Sequence, residues 1–285
     1  MPELPEVETV VRTLRPVLLN RRITRVKLTR SDIVTPADCD LPGRLRGRTV
    51  TDITRRGKRI ILSLDDGNRC YVHLGMTGRL TVEPSNAPVE KHTHFVARLS
   101  DRGRELRFRD ARRFGGIRWM GCERCDDRMG PEPLTLRTAQ MSKRLARTTR
   151  AIKNVLLDQA VIAGVGNIYA DEALFAARIH PLRRANELAD DEVRRLNRAV
   201  KLTLRRAIRH RGSTLRDYVD AEGASGAYQN LHRVYDRAGE PCRTCKRPIE
   251  RIVLGGRSTH FCPNCQAPPP QPPQPLQVRW SRRPC

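Results

Sequence analysis

Long apolar runs, aromatic residues, lysine and acidic charge are all scarce in this chain. No apolar stretch approaches the roughly 18 residues needed to cross a bilayer, which argues against a helical membrane protein. Aromatics make up 4% of the 285 residues, yet 38% are hydrophobic, which argues against wholesale disorder. A basic-then-apolar leader is also lacking: Met1-Pro2-Glu3-Leu4-Pro5-Glu6 is acidic and broken by proline. A soluble, cytoplasmic protein is therefore expected. Lysine occurs only at Lys27, Lys58, Lys91, Lys143, Lys153, Lys201 and Lys246, so nearly all of the 55 basic residues are arginine. Against them stand 31 acidic residues, giving a net charge of +24 and a pI near 10.9. Part of this excess fits a compositional bias toward arginine. The planar guanidinium nonetheless suits phosphate, and dense basic charge releases counterions from a polyanion. Nucleic acid is the expected partner ahead of a membrane surface, since no basic amphipathic anchor with a large apolar face stands out.

At roughly 100–200 residues per domain, the length fits one large or two ordinary domains and excludes collagen-like and coiled-coil classes. Val7, Val10, Val11 and Leu14 share one face at helical spacing, with Glu3, Glu6 and Glu8 in the opening turns where the helix dipole favours anions. Short β-type runs follow at 23–28, 50–55, 59–64, 70–74, 95–99 and 105–108, with turn signals at Asp66-Gly67 and Asp101-Arg102-Gly103. They predict an antiparallel sandwich or barrel with a helix laid at its N-terminus. A linker rich in Asp, Gly and Pro leads to helical patterns at 138–145, 152–158, 168–177 and 187–211. Strand-like patterns return after Leu231, and the chain after Cys265 turns Pro- and Gln-rich, then basic, with nothing apolar to fold around. The expected class is α+β, divided as 1–120, a linker at 121–134, a helical domain at 135–230, a zinc finger at 231–266 and a disordered tail at 267–285.

Nine cysteines are present, and four of them carry the firmest spacing signal. Cys242-x2-Cys245 and Cys262-x2-Cys265 fit a tetrahedral four-thiolate zinc site, structural because no coordination position stays open to water. Two disulfides are the rival reading, disfavoured in a cytoplasmic setting. Between the pairs, Leu254-Gly255-Gly256-Arg257-Ser258-Thr259 suits either a phosphate-gripping loop or an exposed hairpin arginine. Cys122-x2-Cys125 lacks a second pair and reads as incidental thiols. At the N-terminus, trimming of Met1 would free the secondary amine of Pro2, a nucleophile toward a carbonyl-like carbon, with Glu3 and Glu6 close enough in sequence to exchange protons. The same residues could simply start a helix.

The opening Met1-Pro2-Glu3-Leu4-Pro5-Glu6-Val7-Glu8-Thr9 resembles that of bacterial formamidopyrimidine-DNA glycosylases. So do Ala163-Gly164-Val165-Gly166-Asn167-Ile168-Tyr169-Ala170-Asp171-Glu172, similar to that family's helix–two-turn–helix signature, and the cysteine-bearing stretch 239–266, similar to its zinc finger. The resemblance implies a bifunctional glycosylase and abasic-site lyase for oxidised purines, working as a monomer on duplex DNA that carries a damaged base or abasic site, in the bacterial cytoplasm near the nucleoid. It implies Pro2 as nucleophile, Glu3 as the acid for the opening sugar, Lys58 for phosphate contact and the first elimination, and Arg257 for phosphate grip and the second. Met76, Arg112 and Phe114 match the trio that fills the gap left by an extruded base. His73, His92, Lys153, Asn167 and Tyr235 match DNA- or lesion-binding positions, and 220–229 matches a loop that closes over the base. One structural zinc and no catalytic metal are implied. Ala111 departs from the family's usual proline. Leu4 and the trio favour the purine branch over an endonuclease VIII-like one, and a catalytically silent DNA-binding module is the remaining alternative.

Overall fold

The computed structural model describes residues 1–101, 103–122 and 128–268. The reading of the tail after 268, the turn residue Arg102 and Cys125 lie outside the described residues. Helix α1 (Leu4–Leu18) opens the chain. The sandwich then follows as β1 (Ile23–Leu28), β2 (Val34–Thr35), the short helix α2 (Leu41–Leu45), β3 (Val50–Arg56), β4 (Arg59–Leu64), β5 (Arg69–His73), β6 (Arg79–Pro84), β7 (Thr93–Leu99), β8 (Arg104–Arg109) and β9 (Gly116–Gly121). One sheet has the order β1-β7-β8-β6 and the other β2-β9-β5-β4-β3. Every pairing is antiparallel except the two-residue β2–β9 contact, Val34 against Ile117 and Thr35 against Arg118, which is parallel.

The apolar stripe of α1 explains its placement. Val7, Val10, Leu14 and Leu18 are fully buried against Ile53, Ile60, Leu62, Phe95 and Phe108 of the sandwich. Each such side chain contributes roughly 1.5–3 kcal/mol when removed from water. Leu4, one turn earlier, packs instead into the second core with Val165, Ile168 and Tyr169. A single helix thus belongs to both cores, and its first turn lies at their junction.

The second core is built by α3 (Thr138–Leu145), α4 (Ile152–Leu157), α5 (Asn167–Ala177) and α6 (Asp190–Arg209). Nearly every residue of α5 is buried, as suits a helix whose apolar character runs all round. The amphipathic α6 buries Val193, Leu196, Val200 and Leu204 and begins at Asp190, later than the expected 187, because a separate turn occupies Ala185–Glu187. The hairpin β10 (Glu250–Leu254) and β11 (Arg257–Phe261) closes the described chain, turning through Gly255 and Gly256 at φ +56° and +72°. Among the described residues, no helix is long and apolar enough to cross a membrane.

Candidate active site and zinc centre

The site begins where the first turn of α1 meets the start of α5. Leu4 N–H donates to the Gly164 carbonyl at 3.0 Å, which fixes the chain's opening against the turn before α5. The N-cap of α5 is Gly166, without a side chain to satisfy the orphan N–H groups of a helix start. Glu3 supplies that acceptor instead: its carboxylate takes the N–H groups of Ile168 at 3.0 Å and Tyr169 at 3.4 Å. Glycine is required here by close approach, since a Cβ on Gly166 would lie 2.2 Å from the Glu3 carboxyl carbon. Burial pushes the Glu3 carboxyl up to about 7, against the opposing pull of Lys58, with Glu6 adding to the rise.

Glu6 lies one helical turn on, and the local sequence marks it only as a neighbour of Glu3. Its carboxylate accepts the Glu3 N–H at 2.8 Å, the Ser213 N–H at 2.7 Å and the Tyr169 hydroxyl. Burial raises its pKa and these donors oppose the rise. Gly212, at φ +78°, leaves room for it, because a Cβ there would meet Glu6 Oε1 at 2.6 Å. Pro2, Glu6, Ile168 and Ser213 line a cavity of about 350 Å³, together with Met76, Arg112, Tyr218 and Tyr235. Its volume suits a small organic group such as a nucleobase.

Lys58 sits at the tip of the β3–β4 hairpin, after Gly57 at φ +56°. The turn is tied down from a distance: Gly57 N–H donates to Glu132 at 2.7 Å, and the same carboxylate takes Arg55 at 2.6 Å and Arg56 at 3.2 Å. Glu132 lies in the expected linker, and nothing in its local pattern marks it. Burial lowers the Lys58 pKa, Glu3 and Glu6 oppose that fall, and Arg257 reinforces it. Lys58, Glu3 and Arg257 therefore share one electrostatic field.

Two loops bring the void-filling candidates together. A Cβ on Gly75 would strike the backbone nitrogen of Gly115 at 2.4 Å, so the turn bearing Met76 and the loop bearing Arg112 and Phe114 touch backbone to backbone. Buried Asp110 joins them, accepting from Thr77 Oγ1 at 2.5 Å, Arg112 N–H at 3.2 Å and Gly115 N–H at 2.8 Å. The Arg112 guanidinium lies 4.6 Å over the Phe114 ring. Met76 and Phe114 are 39% and 59% exposed on turns that touch each other, so both are accessible to a partner. Ala111 is exposed, and the loop closes without the proline.

The remaining candidates scatter. His73 accepts the Gly75 N–H at 3.1 Å and so braces the Met76 turn, while burial and the nearby Arg59 and Lys58 lower its pKa. His92 is exposed at φ +67°, away from the cavity lining. Lys153 is wholly buried: its ammonium lies 2.6 Å from Asp171 and donates to the Ser258 carbonyl at 2.8 Å, turned into the protein. Asn167 Nδ2 donates to the same carbonyl at 2.9 Å. Tyr235 lines the cavity with its ring edge-on to His260 at 5.2 Å. Its N–H, with those of Arg233 and Val234, converges on the Glu172 carboxylate at 2.9–3.0 Å.

Cys242, Cys245, Cys262 and Cys265 bring their Sγ atoms within 4.8 Å of one another. With Zn–S near 2.3 Å, a tetrahedron has edges of about 3.8 Å. The Cys242–Cys265 and Cys245–Cys262 separations of 3.9 and 3.4 Å fit that figure. Thr244 and Cys265 point backbone N–H groups at Cys242 and Cys262 Sγ, both at 3.4 Å, as suits thiolates. Among the described residues, the local core holds Phe175, Val234 and Ile249 besides the cysteines, too little to order a hairpin by itself. These residues hold one structural zinc.

Comparison with known proteins accounts for the arrangement. Residues 1–117 match the formamidopyrimidine-DNA glycosylase N-terminal domain, 129–219 its H2TH domain, and 239–268 the zinc finger found in FPG and IleRS. The formamidopyrimidine-DNA glycosylase of Herpetosiphon aurantiacus is 48% identical over 276 residues, covering 94% of this chain and all of that protein. That of Geobacillus kaustophilus is 43% identical, over 93% of this chain and all of its own. Among solved structures, the MutM (Fpg) protein of Thermus thermophilus superposes with a TM-score of 0.83 at 41% identity, covering 94% of this chain and all of that one. Lactococcus lactis Fpg in complex with DNA containing an abasic site superposes with a TM-score of 0.86 at 35% identity, over 93% of this chain and all of its own. On these grounds the chain belongs to the formamidopyrimidine-DNA glycosylase family.

Proposed function

We propose that this protein removes oxidised purines from duplex DNA and then cuts the strand at the resulting abasic site, with the Pro2 amine as nucleophile. As a member of its family it is a DNA glycosylase of base excision repair with abasic-site lyase activity. Loss of Met1 leaves the Pro2 nitrogen at the wall of the cavity that would receive the extruded nucleotide. Glu3, with its carboxyl up at about 7, keeps a substantial protonated fraction at neutral pH and can give that proton to the opening sugar. Attack at C1′ expels the base and forms an iminium, which acidifies the C2′ proton. β-Elimination follows, with Lys58 moving the proton, and δ-elimination follows that, with Arg257 holding phosphate. Met76, Arg112 and Phe114 occupy the space left in the stack, and His73, His92, Lys153, Asn167 and Tyr235 support backbone and lesion binding directly or through the elements they brace.

We assign residues 1–120 and 135–230 as the two walls of the DNA cleft, 121–134 as their linker, 231–266 as the zinc finger and 267–285 as a basic tail, in a monomer acting beside the chromosome in a bacterial cytoplasm. The observation that carries the reading is the buried Glu3 carboxylate at the start of α5, one residue from Pro2. Borohydride added during reaction with an 8-oxoguanine duplex is expected to trap the protein on DNA through Pro2. A form with its N-terminal amine capped should trap nothing, and full-speed cutting by that form would overturn the proposal. Faster excision from thymine-glycol than from 8-oxoguanine duplexes would move the assignment to the pyrimidine branch.

A further inference from the structure

Asp171 is wholly buried and has no part in the chemistry above. One of its carboxylate oxygens lies 2.6 Å from Lys153 Nζ, and the other accepts the His260 backbone N–H at 2.9 Å and faces His260 Nδ1 at 3.3 Å. Lys153 in turn donates to the Ser258 carbonyl at 2.8 Å, as Asn167 does at 2.9 Å. Ser258 and His260 belong to β11, which begins at Arg257. A carboxylate on α5 therefore grips, directly and through one lysine, the two residues of β11 whose backbones set the direction in which Arg257 leaves the hairpin. Three residues earlier on the same helix, Ile168 N–H holds Glu3. Three residues of α-helix rise about 4.5 Å, a separation the backbone does not relax.

We propose that Asp171 is a positioning residue for Arg257. Through Lys153 and β11 it sets the guanidinium at a fixed place relative to Glu3, so that the second elimination keeps pace with the first. This rests on the reading of Arg257 as the residue serving that second step. The finger has anchors besides Asp171. Glu172 separately collects the N–H groups of residues 233–235, and Gln266 Nε2 donates to the Ile179 carbonyl at 2.8 Å. Of these carboxylate and amide anchors Asp171 is the one that reaches the strand carrying Arg257, where the Asn167 bond to Ser258 adds to its hold.

The test uses the full-length, zinc-loaded protein and a duplex with a preformed abasic site, comparing Asp171→Asn, Arg257→Gln and the pair Lys153→Met with Asp171→Leu. The pair removes both buried charges, so that no lone ion is left in the interior. Expected are a rise of at least fivefold in product stopped after β-elimination relative to the β,δ-product in all three, total strand cutting by Asp171→Asn within about threefold of the parent, and one zinc per chain. If Arg257→Gln shifts the partition and both Asp171 variants leave it unchanged, the positioning role is overturned while the reading of Arg257 stands. An unchanged partition in Arg257→Gln overturns both. Loss of zinc, with β- and δ-elimination falling together in both Asp171 variants, would make Asp171 a folding anchor and overturn the proposal as well.

Discussion

Glu3 shows how burial sets both stability and chemistry at a single residue. Its carboxyl titrates near 7 in the folded protein against an ordinary 4.5, so between those values the folded state keeps a proton that the unfolded chain releases. Stability from this group is therefore fully present below about pH 4.5 and is lost as pH rises toward 7. Glu3→Gln cannot ionise. It should be more stable than the parent at pH 8, by an amount on the order of 3 kcal/mol, with the gap closing near pH 4, as thermal denaturation at the two values would reveal. Base excision by the same variant should be nearly abolished. In the parent, single-turnover excision should decline as pH rises through about 7, because the acid form of Glu3 disappears. Met76 and Phe114 present the opposite case. Both are exposed, so Met76→Ala and Phe114→Ala should change stability by no more than about 0.5 kcal/mol. Excision from an 8-oxoguanine duplex should nevertheless fall at least tenfold in each, and a normal rate in both would remove them from the site.

Among the elements, the turn before α5 carries the tightest constraint. Gly166 has φ −131°, a conformation alanine adopts freely, so the cost of Gly166→Ala comes from its Cβ meeting Glu3 at 2.2 Å. Overpacking of this kind typically costs about 1–3 kcal/mol, and here it also displaces the proposed acid. Denaturant midpoints should drop accordingly while excision falls by more than tenfold. Gly67 makes the control. It has φ +81° and open space for 4 Å around the point a Cβ would occupy, so Gly67→Ala should cost about 1 kcal/mol through the backbone alone and leave excision intact. The same contrast explains what local pattern can reveal. The strands at 23–28 and 59–64 and the helix at 138–145 coincide with β1, β4 and α3, because each has apolar periodicity of its own. β6 alternates too, but Pro84 at its end hides it from a local reading; its place at a sheet edge is what tolerates that proline. β9 lies between Gly116 and Gly121, and β2 has two residues, too few to carry a period.

For the whole molecule, zinc is the hinge of the electrostatic argument. The finger's own core is small, so stripping the metal should unravel the Arg257 hairpin while the two larger cores keep their packing. Affinity for DNA should fall, and the slope of log K against log salt should shrink by about one for each phosphate no longer neutralised. Binding titrations at several salt concentrations, before and after chelation, measure both. An unchanged slope would detach the finger from phosphate binding.

Local sequence is enough to specify the sandwich and its N-terminal helix, the helical segment, the four-thiolate cluster and the excess of arginine that selects a polyanion. Each is written in neighbouring residues, as a period, a spacing or a composition. Folding in three dimensions settles the rest: Glu3 caps a helix begun by Gly166, Glu132 secures the Lys58 turn, Asp110 joins the two loops of the trio, and Lys153 faces inward to Asp171. Glu3 and Ile168 are 165 positions apart, Gly57 and Glu132 are 75, and Thr77 and Asp110 are 33. A buried charge takes whichever partner the folded chain brings within reach, and that proximity leaves no trace in the residues beside it.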